Sequence, residues 1–161
     1  MATVEQLVTA GLLRPVMVDL GGSLPVRQIF GTLDFIAWLS TALPQLENDY
    51  DGHATPTEQV ENLLAEYISG HPLNYGDGGN LRCLRPVDRG VVELKTADVR
   101  IFGWFVRKDR YIATFGHSAT RVKTVDLYAG FRNETCRIRD TIDLDAPKFI
   151  LGTAAHDFLS L

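Results

Sequence analysis

Cysteine is scarce in this chain of 161 residues: only Cys83 and Cys136 are present, far apart and in no metal-ligand spacing. A disulfide framework and a structural zinc site are thereby excluded as organising features, and two reduced, buried thiols are expected. No apolar run approaches the roughly 18 residues of a membrane-spanning helix, so no membrane partner is expected. Met1-Ala2-Thr3 lacks the basic start and apolar core of a signal peptide, which makes the cytoplasm the expected location. Asp49, Asp51 and His53 sit in an acidic loop but match no calcium-loop pattern. The glycines of residues 74–80 follow a helical stretch rather than open one, so a phosphate-cradling loop is a weak reading there. Neither a metal nor a cofactor is expected.

Positive charge is also in short supply overall, and its distribution matters more than its sum. The net charge is −4, which alone argues against a nucleic-acid binder. Residues 1–81 carry 2 basic and 10 acidic side chains, whereas residues 82–139 carry 13 basic and 6 acidic ones; residues 140–161 return to 1 and 4. The cationic segment therefore has a net charge of +7 between flanks of −8 and −3. Such asymmetry points to an anionic partner at the basic segment, or to acidic flanks that neutralise a basic sheet within one fold.

What the chain does have is a 45% hydrophobic content, enough for one domain with a substantial core. Residues 91–117 organise it. The β-branched and aromatic stretches 91–95, 99–106 and 111–115 are separated by short turns, and the spacing predicts an antiparallel meander. Period-2 alternation places Val99, Ile101, Gly103 and Phe105 on one face, and Arg100, Phe102, Trp104 and Val106 on the other. Arg100 heads an otherwise apolar face.

Before the meander, Thr3-Val4-Glu5-Gln6 fits a capping box opening a short helix, and 15–20 reads as a strand or extended arm. A strand is expected over 26–30 and a helix over about 32–43 with Phe35, Ile36, Trp38 and Leu39 inward. Thr55-Pro56-Thr57-Glu58 is a strong helix start, and Val60, Leu63, Leu64, Tyr67 and Ile68 form its buried stripe up to Gly70. Leu81 to Leu84 enters the sheet or its rim. A short helix is expected from Thr124, as N-cap, to Phe131, and residues 148–151 read as a strand. The fold class is thus α+β: a mixed, largely antiparallel sheet with two amphipathic helices on one face. Residues 26–135 form the main domain, with extensions over 1–25 and 136–161.

This order, strand, two helices, three-stranded meander and short helix, resembles the RelE/ParE toxin superfamily, and within it the phage-derived HigB-like branch of type II toxin–antitoxin systems. The resemblance covers about residues 26–133. It is carried by Phe35-Ile36-Ala37-Trp38-Leu39, the second capped helix, Val92-Glu93-Leu94-Lys95, Val99-Arg100-Ile101-Phe102, and the helix with Ala129 and Arg132. It implies an endoribonuclease that cleaves messenger RNA, in association with the ribosome, by attack of a 2′-hydroxyl on the neighbouring phosphate, and a cognate antitoxin as partner. The family's adjacent lysines after the last strand are absent; Gly116-His117-Ser118-Ala119-Thr120-Arg121-Val122-Lys123 stands there instead.

The implied chemistry needs a base, an acid and cations for the charge developing on phosphorus, and no metal. Arg100, His117, Arg121 and Lys123 are the candidate catalytic residues; imidazole is the side chain whose ordinary titration suits proton transfer near neutrality. Lys95, Arg107, Lys108 and Arg110 are the candidate RNA-binding residues. Each has a plain structural alternative: Arg100 paired with Glu93, His117 as a hydrogen-bonded loop residue, and the three hairpin cations as a solvated turn. Without nuclease chemistry the same surface would bind a host protein such as gyrase, as the ParE branch does, or serve assembly in a phage or mobile element. Asp140, Asp143 and Asp145 form either an acidic strand masking the cationic face or an ordinary charged edge strand.

Overall fold

The computed structural model describes residues 1–48 and 54–160, and the acidic loop residues Asp49, Asp51 and His53 lie outside them. The architecture is α+β, built on a six-stranded mixed sheet. Its strands are β1 (Leu13–Pro15), β2 (Gln28–Thr32), β3 (Leu81–Cys83), β4 (Val92–Lys95), β5 (Val99–Arg107) and β6 (Arg110–Ser118). Their spatial order is β1-β2-β6-β5-β4-β3. The β4–β5–β6 meander is antiparallel, and β2 runs parallel to β6. That parallel pairing needs a long connection, which runs through the helices α2 (Leu33–Thr41) and α3 (Pro56–Ile68) and then β3 to β5.

Local chemistry sets the helix starts. Thr3 and Gln6 form the capping box of α1 (Val4–Thr9), Thr32 caps α2, and Thr55 with Glu58 boxes α3. The strand expected over 26–30 begins two residues later, because the Val26 and Arg27 amides donate to the Ile68 carbonyl and not to the sheet.

α2 and α3 cover one sheet face, where Phe35, Val60, Leu64 and Tyr67 pack with Val99, Ile101 and Phe105. Two glycines make close approaches possible there. Gly103 leaves room for the Tyr111 ring, whose hydroxyl donates to the Val92 carbonyl at 2.7 Å, and Gly116 lies beneath the Trp38 ring.

The opposite face carries Phe102, Trp104 and Val106, as alternation requires. α1 and Leu144 cover Trp104 and Val106; Val122 and Cys136 pack with Phe102. Both cysteines are free and buried.

The expected helix beginning at Thr124 is instead two helices, α4 (Ala119–Thr124) and α5 (Tyr128–Thr141). Thr124 ends the first, and Asp126 turns the chain at φ 49. Ser118, through its side chain, caps α4. Residues 148–151 form no strand; a lone hydrogen bond ties Ile150 to the Phe105 carbonyl. The acidic stretch 140–145 also forms no strand beyond a single bridge from Leu144 to Ala2, and Asp143 pairs with the N-terminal amine at 3.6 Å. The N-terminus is therefore held against residues 143–145, with Leu144 covering the Trp104 end of the sheet rather than the cationic end.

The rest of the tail belongs to the main core. Phe158 in α6 (Ala155–Phe158) is fully buried and stacks on Phe105 at 4.9 Å, and the Trp104 indole donates to the Lys148 carbonyl. Buried Arg27 ties this end down, donating to the carbonyls of Tyr67, His71 and Ser160. Phe158→Ala should lower stability by about 3–5 kcal/mol, read from the denaturant midpoint, and deletion of residues 140–161 should leave the chain unfolded by circular dichroism.

Candidate functional site

Strand register builds the site. Lys95 lies opposite Arg100, and Arg100 opposite His117; one row along, Arg82, Glu93, Phe102 and Phe115 face one another in turn. Residues opposed across strands share a face. Four strands thus bring Arg82, Glu93, Lys95, Arg100 and His117 to one end of one sheet face.

His117 reaches that face through a β-bulge. Phe102 pairs with Phe115 but Gly103 pairs with Ala113, leaving Thr114 as an extra residue in β6. Its hydroxyl donates to the Phe102 carbonyl at 2.9 Å and lies 2.9 Å from the Thr135 hydroxyl. Beyond the bulge, Phe115 and His117 join the Arg100 side. α5 closes over them: Phe131 stacks on Phe102 at 4.9 Å, and the His117 ring lies 5.6 Å from Phe131. The His117 Nδ1 is buried and makes no hydrogen bond.

Glu93 is the centre of charge. It is 0% exposed, and Arg82 approaches its Oε1 at 2.8 Å without the alignment of a hydrogen bond. Burial drives its pKa upward from the ordinary carboxylate value, while Arg82, Arg100 and Lys95 oppose the rise. The Arg100–Glu93 pair, the alternative to a catalytic role for Arg100, is a field effect and not an ion-pair contact; the direct partner is Arg82.

The candidate cations differ in what they are free to do. Arg100 is buried, with one guanidinium nitrogen donating to the carbonyls of Thr96 at 2.6 Å and Val99 at 3.0 Å, and its Nε has no partner. The Lys95 ammonium donates to the Gly76 and Asp77 carbonyls at 2.9 and 2.7 Å, and burial lowers its pKa. Arg121 and Lys123 are exposed on α4. Lys95, Arg100 and Lys123 line one cleft of about 310 Å³.

The hairpin cations are elsewhere. Arg107, Lys108 and Arg110 lie at the far end of β5 and β6, about 23 Å from Arg100 at the usual strand rise. Arg107 donates to the carbonyls of Val106 and Pro147, and Arg110 pairs with Glu5 and donates to the Gln28 side chain. They do not join the candidate catalytic residues.

A second cleft, of about 700 Å³, opens beside the first and is lined by Tyr75, Arg82, Arg85, Tyr128 and Arg132 among others. The loop 74–80 stands between the two, with Asp77 lining both. Arg82, Arg85 and Tyr128 are absent from the candidate set drawn from sequence. A three-residue strand such as β3 carries too little alternation to announce which face Arg82 joins. Among the described residues there is no group of His, Cys, Asp and Glu side chains able to hold a metal ion, and no helix long and apolar enough to cross a membrane.

Comparison with protein-family models, curated proteins and solved structures finds no match for this chain.

The burial of Glu93 has a measurable consequence. Its folded-state pKa lies above its ordinary value of 4.5, so the folded chain keeps a proton that the unfolded chain releases. The associated stability is present below about pH 4.5 and is lost as pH rises through the folded-state value. In denaturant titrations of the wild type and Glu93→Gln, the difference in unfolding free energy, wild type minus variant, should stay level below that pH and fall above it.

Proposed function

We propose that the protein is a metal-independent endoribonuclease of the RelE/HigB type, acting on messenger RNA and held by an antitoxin. The observation that carries this reading is the row Lys95–Arg100–His117, brought to one sheet face beside the exposed Lys123. The topology supports it too: two helices cross from β2 to a meander whose last strand runs parallel to β2.

The chemistry is the one that the resemblance implies. The 2′-oxygen of the substrate forms a bond to phosphorus as the bond to the 5′-oxygen breaks, leaving a cyclic phosphate and a 5′-hydroxyl. One proton leaves the 2′-hydroxyl and another reaches the 5′-oxygen; in this reading His117 carries one of these transfers and solvent water the other. Arg100, Arg121 and Lys123 supply positive charge where negative charge develops on the phosphate oxygens. The acidic side chains Glu58, Glu61 and Glu66 are exposed on α3, which packs on the other sheet face, so they do not compete with RNA here.

One observation favours a second reading. Arg100 and Lys95 already donate to main-chain carbonyls, as cations would that hold a loop and a strand end in place. On this reading the same face binds a host protein, without nuclease chemistry.

Three measurements separate the two. RNA affinity should fall steeply with salt, because each neutralised phosphate releases counterions; absence of RNA binding at low salt removes the first reading. Arg100→Ala and Arg121→Ala, confirmed folded, should each reduce cleavage about 100-fold or more, whereas Lys108→Ala should have only a small effect. His117→Ala should alter the shape of the pH–rate profile as well as the rate.

A further inference from the structure

The larger cleft plays no part in the chemistry above, yet its lining is unusual. Arg82 lines it, and the guanidinium is divided between two carboxylates: buried Glu93 at 2.8 Å and Asp77 at 2.8 Å. Asp77 differs sharply from Glu93, with its side chain 90% exposed. It reaches Arg82 from a loop whose neighbours are Gly76, Gly78 and Gly79, so little side-chain packing restrains it. A carboxylate on the solvent side thus already pairs with a cation of the cleft. The Arg82 Nε is buried and unpartnered.

Two further cations face the same space. Arg85 is exposed on the wall, and Arg132 projects from α5, with one nitrogen donating to the Arg85 carbonyl at 2.7 Å. The remaining walls are aromatic and apolar. Tyr128 lies under Arg82 at 5.6 Å, while Tyr75, Leu84 and Val87 line other parts of the cleft. A free inorganic anion would use the arginines and leave the rings and apolar wall idle. A nucleotide uses both: its phosphate meets the arginines and its base lies against a tyrosine. The volume of about 700 Å³ falls in the range of small-molecule sites.

We propose that this cleft is a nucleotide-binding subsite, which takes one nucleotide of an RNA strand next to the reacting phosphate, and that Asp77 occupies the phosphate position in the free protein. The proposal rests on the ribonuclease reading for the strand, but not for the binding of a single nucleotide. When the nucleotide enters, Arg82 exchanges the Asp77 carboxylate for phosphate oxygens and keeps Glu93. Because Lys95 holds the Gly76 and Asp77 carbonyls, the loop backbone stays in place while the Asp77 side chain swings out.

The test uses the full chain titrated with each of the four nucleoside 3′-monophosphates, the corresponding nucleosides and inorganic phosphate, followed by NMR shifts of residues 75–85 and 128–132. At least one nucleotide should bind more tightly than phosphate or its nucleoside. Asp77→Asn should tighten nucleotide binding about three- to tenfold by removing the competing charge, and Arg85→Ala, an exposed site, should weaken it to a similar degree. Phosphate binding as tightly as every nucleotide, or an Asp77→Asn variant with unchanged affinity, overturns the subsite. RNA cleavage by a protein that binds no nucleotide in this cleft overturns the subsite and leaves the ribonuclease reading standing. Nucleotide binding that responds to Asp77→Asn in a protein without cleavage activity does the reverse.

Discussion

The bulge at Thr114 is the constraint on which the site depends. Strict alternation along β6 would put Phe115 and His117 on the same face as Tyr111 and Ala113, beneath α2 and α3. One extra residue, held by the Thr114 hydroxyl on the Phe102 carbonyl and beside Thr135 of α5, transfers them to the opposite face. Phe115 then packs beside Phe131, His117 lies opposite Arg100, and Gly116 turns toward Trp38. A hydroxyl pair buried in an otherwise apolar region therefore fixes both the α5 contact and the neighbourhood of the imidazole. An unsatisfied hydroxyl there would be costly, which makes the arrangement self-consistent.

Charge placement follows from the same face. Arg82, Lys95 and Arg100 converge around a carboxylate with no exposed surface, and without Glu93 three cations would crowd a region of low polarity. Glu93 offsets their repulsion at the cost of its own desolvation, which is why its pKa is driven upward rather than downward despite three positive neighbours. The cations then divide between the two clefts. Lys95 and Arg100 hold main-chain carbonyls and line the smaller cleft together with exposed Lys123, while Arg85 and Arg132 line the larger one. The ribonuclease reading draws on the smaller cleft, where buried Arg100 and exposed Lys123 stand together.

The terminal segments serve the fold more than the site. β1 extends the sheet at one edge, α1 and Leu144 seal the Trp104 end, and Phe158 fills the core under α3. Asp143 and Asp145 lie beside the N-terminus, and Asp140, on α5, pairs with Arg139. Neither masking of the cationic face nor protection of a sheet edge describes them. Their negative charge is met locally, as in the pairing of Asp143 with the terminal amine.

Local signals in the sequence determined much of this protein. Threonine caps with glutamine or glutamate three residues on set the starts of α1 and α3, because those side chains satisfy free amides wherever the chain goes. Alternation of large apolar residues set the two faces of β5, because side chains in a strand have no other period. Both effects act over a few residues and are legible without knowing the fold. The composition of the site was not legible in this way. Arg82 enters it through a three-residue strand, His117 through a bulge, and Arg132 through a helix whose start at Tyr128 lacks a side-chain cap. The hairpin cations Arg107, Lys108 and Arg110, close to the site residues in sequence, end up a strand's length away. Only strand pairing over long sequence separations decides which charges share a face, since register, bulges and crossovers are properties of the assembled sheet and not of any stretch within it.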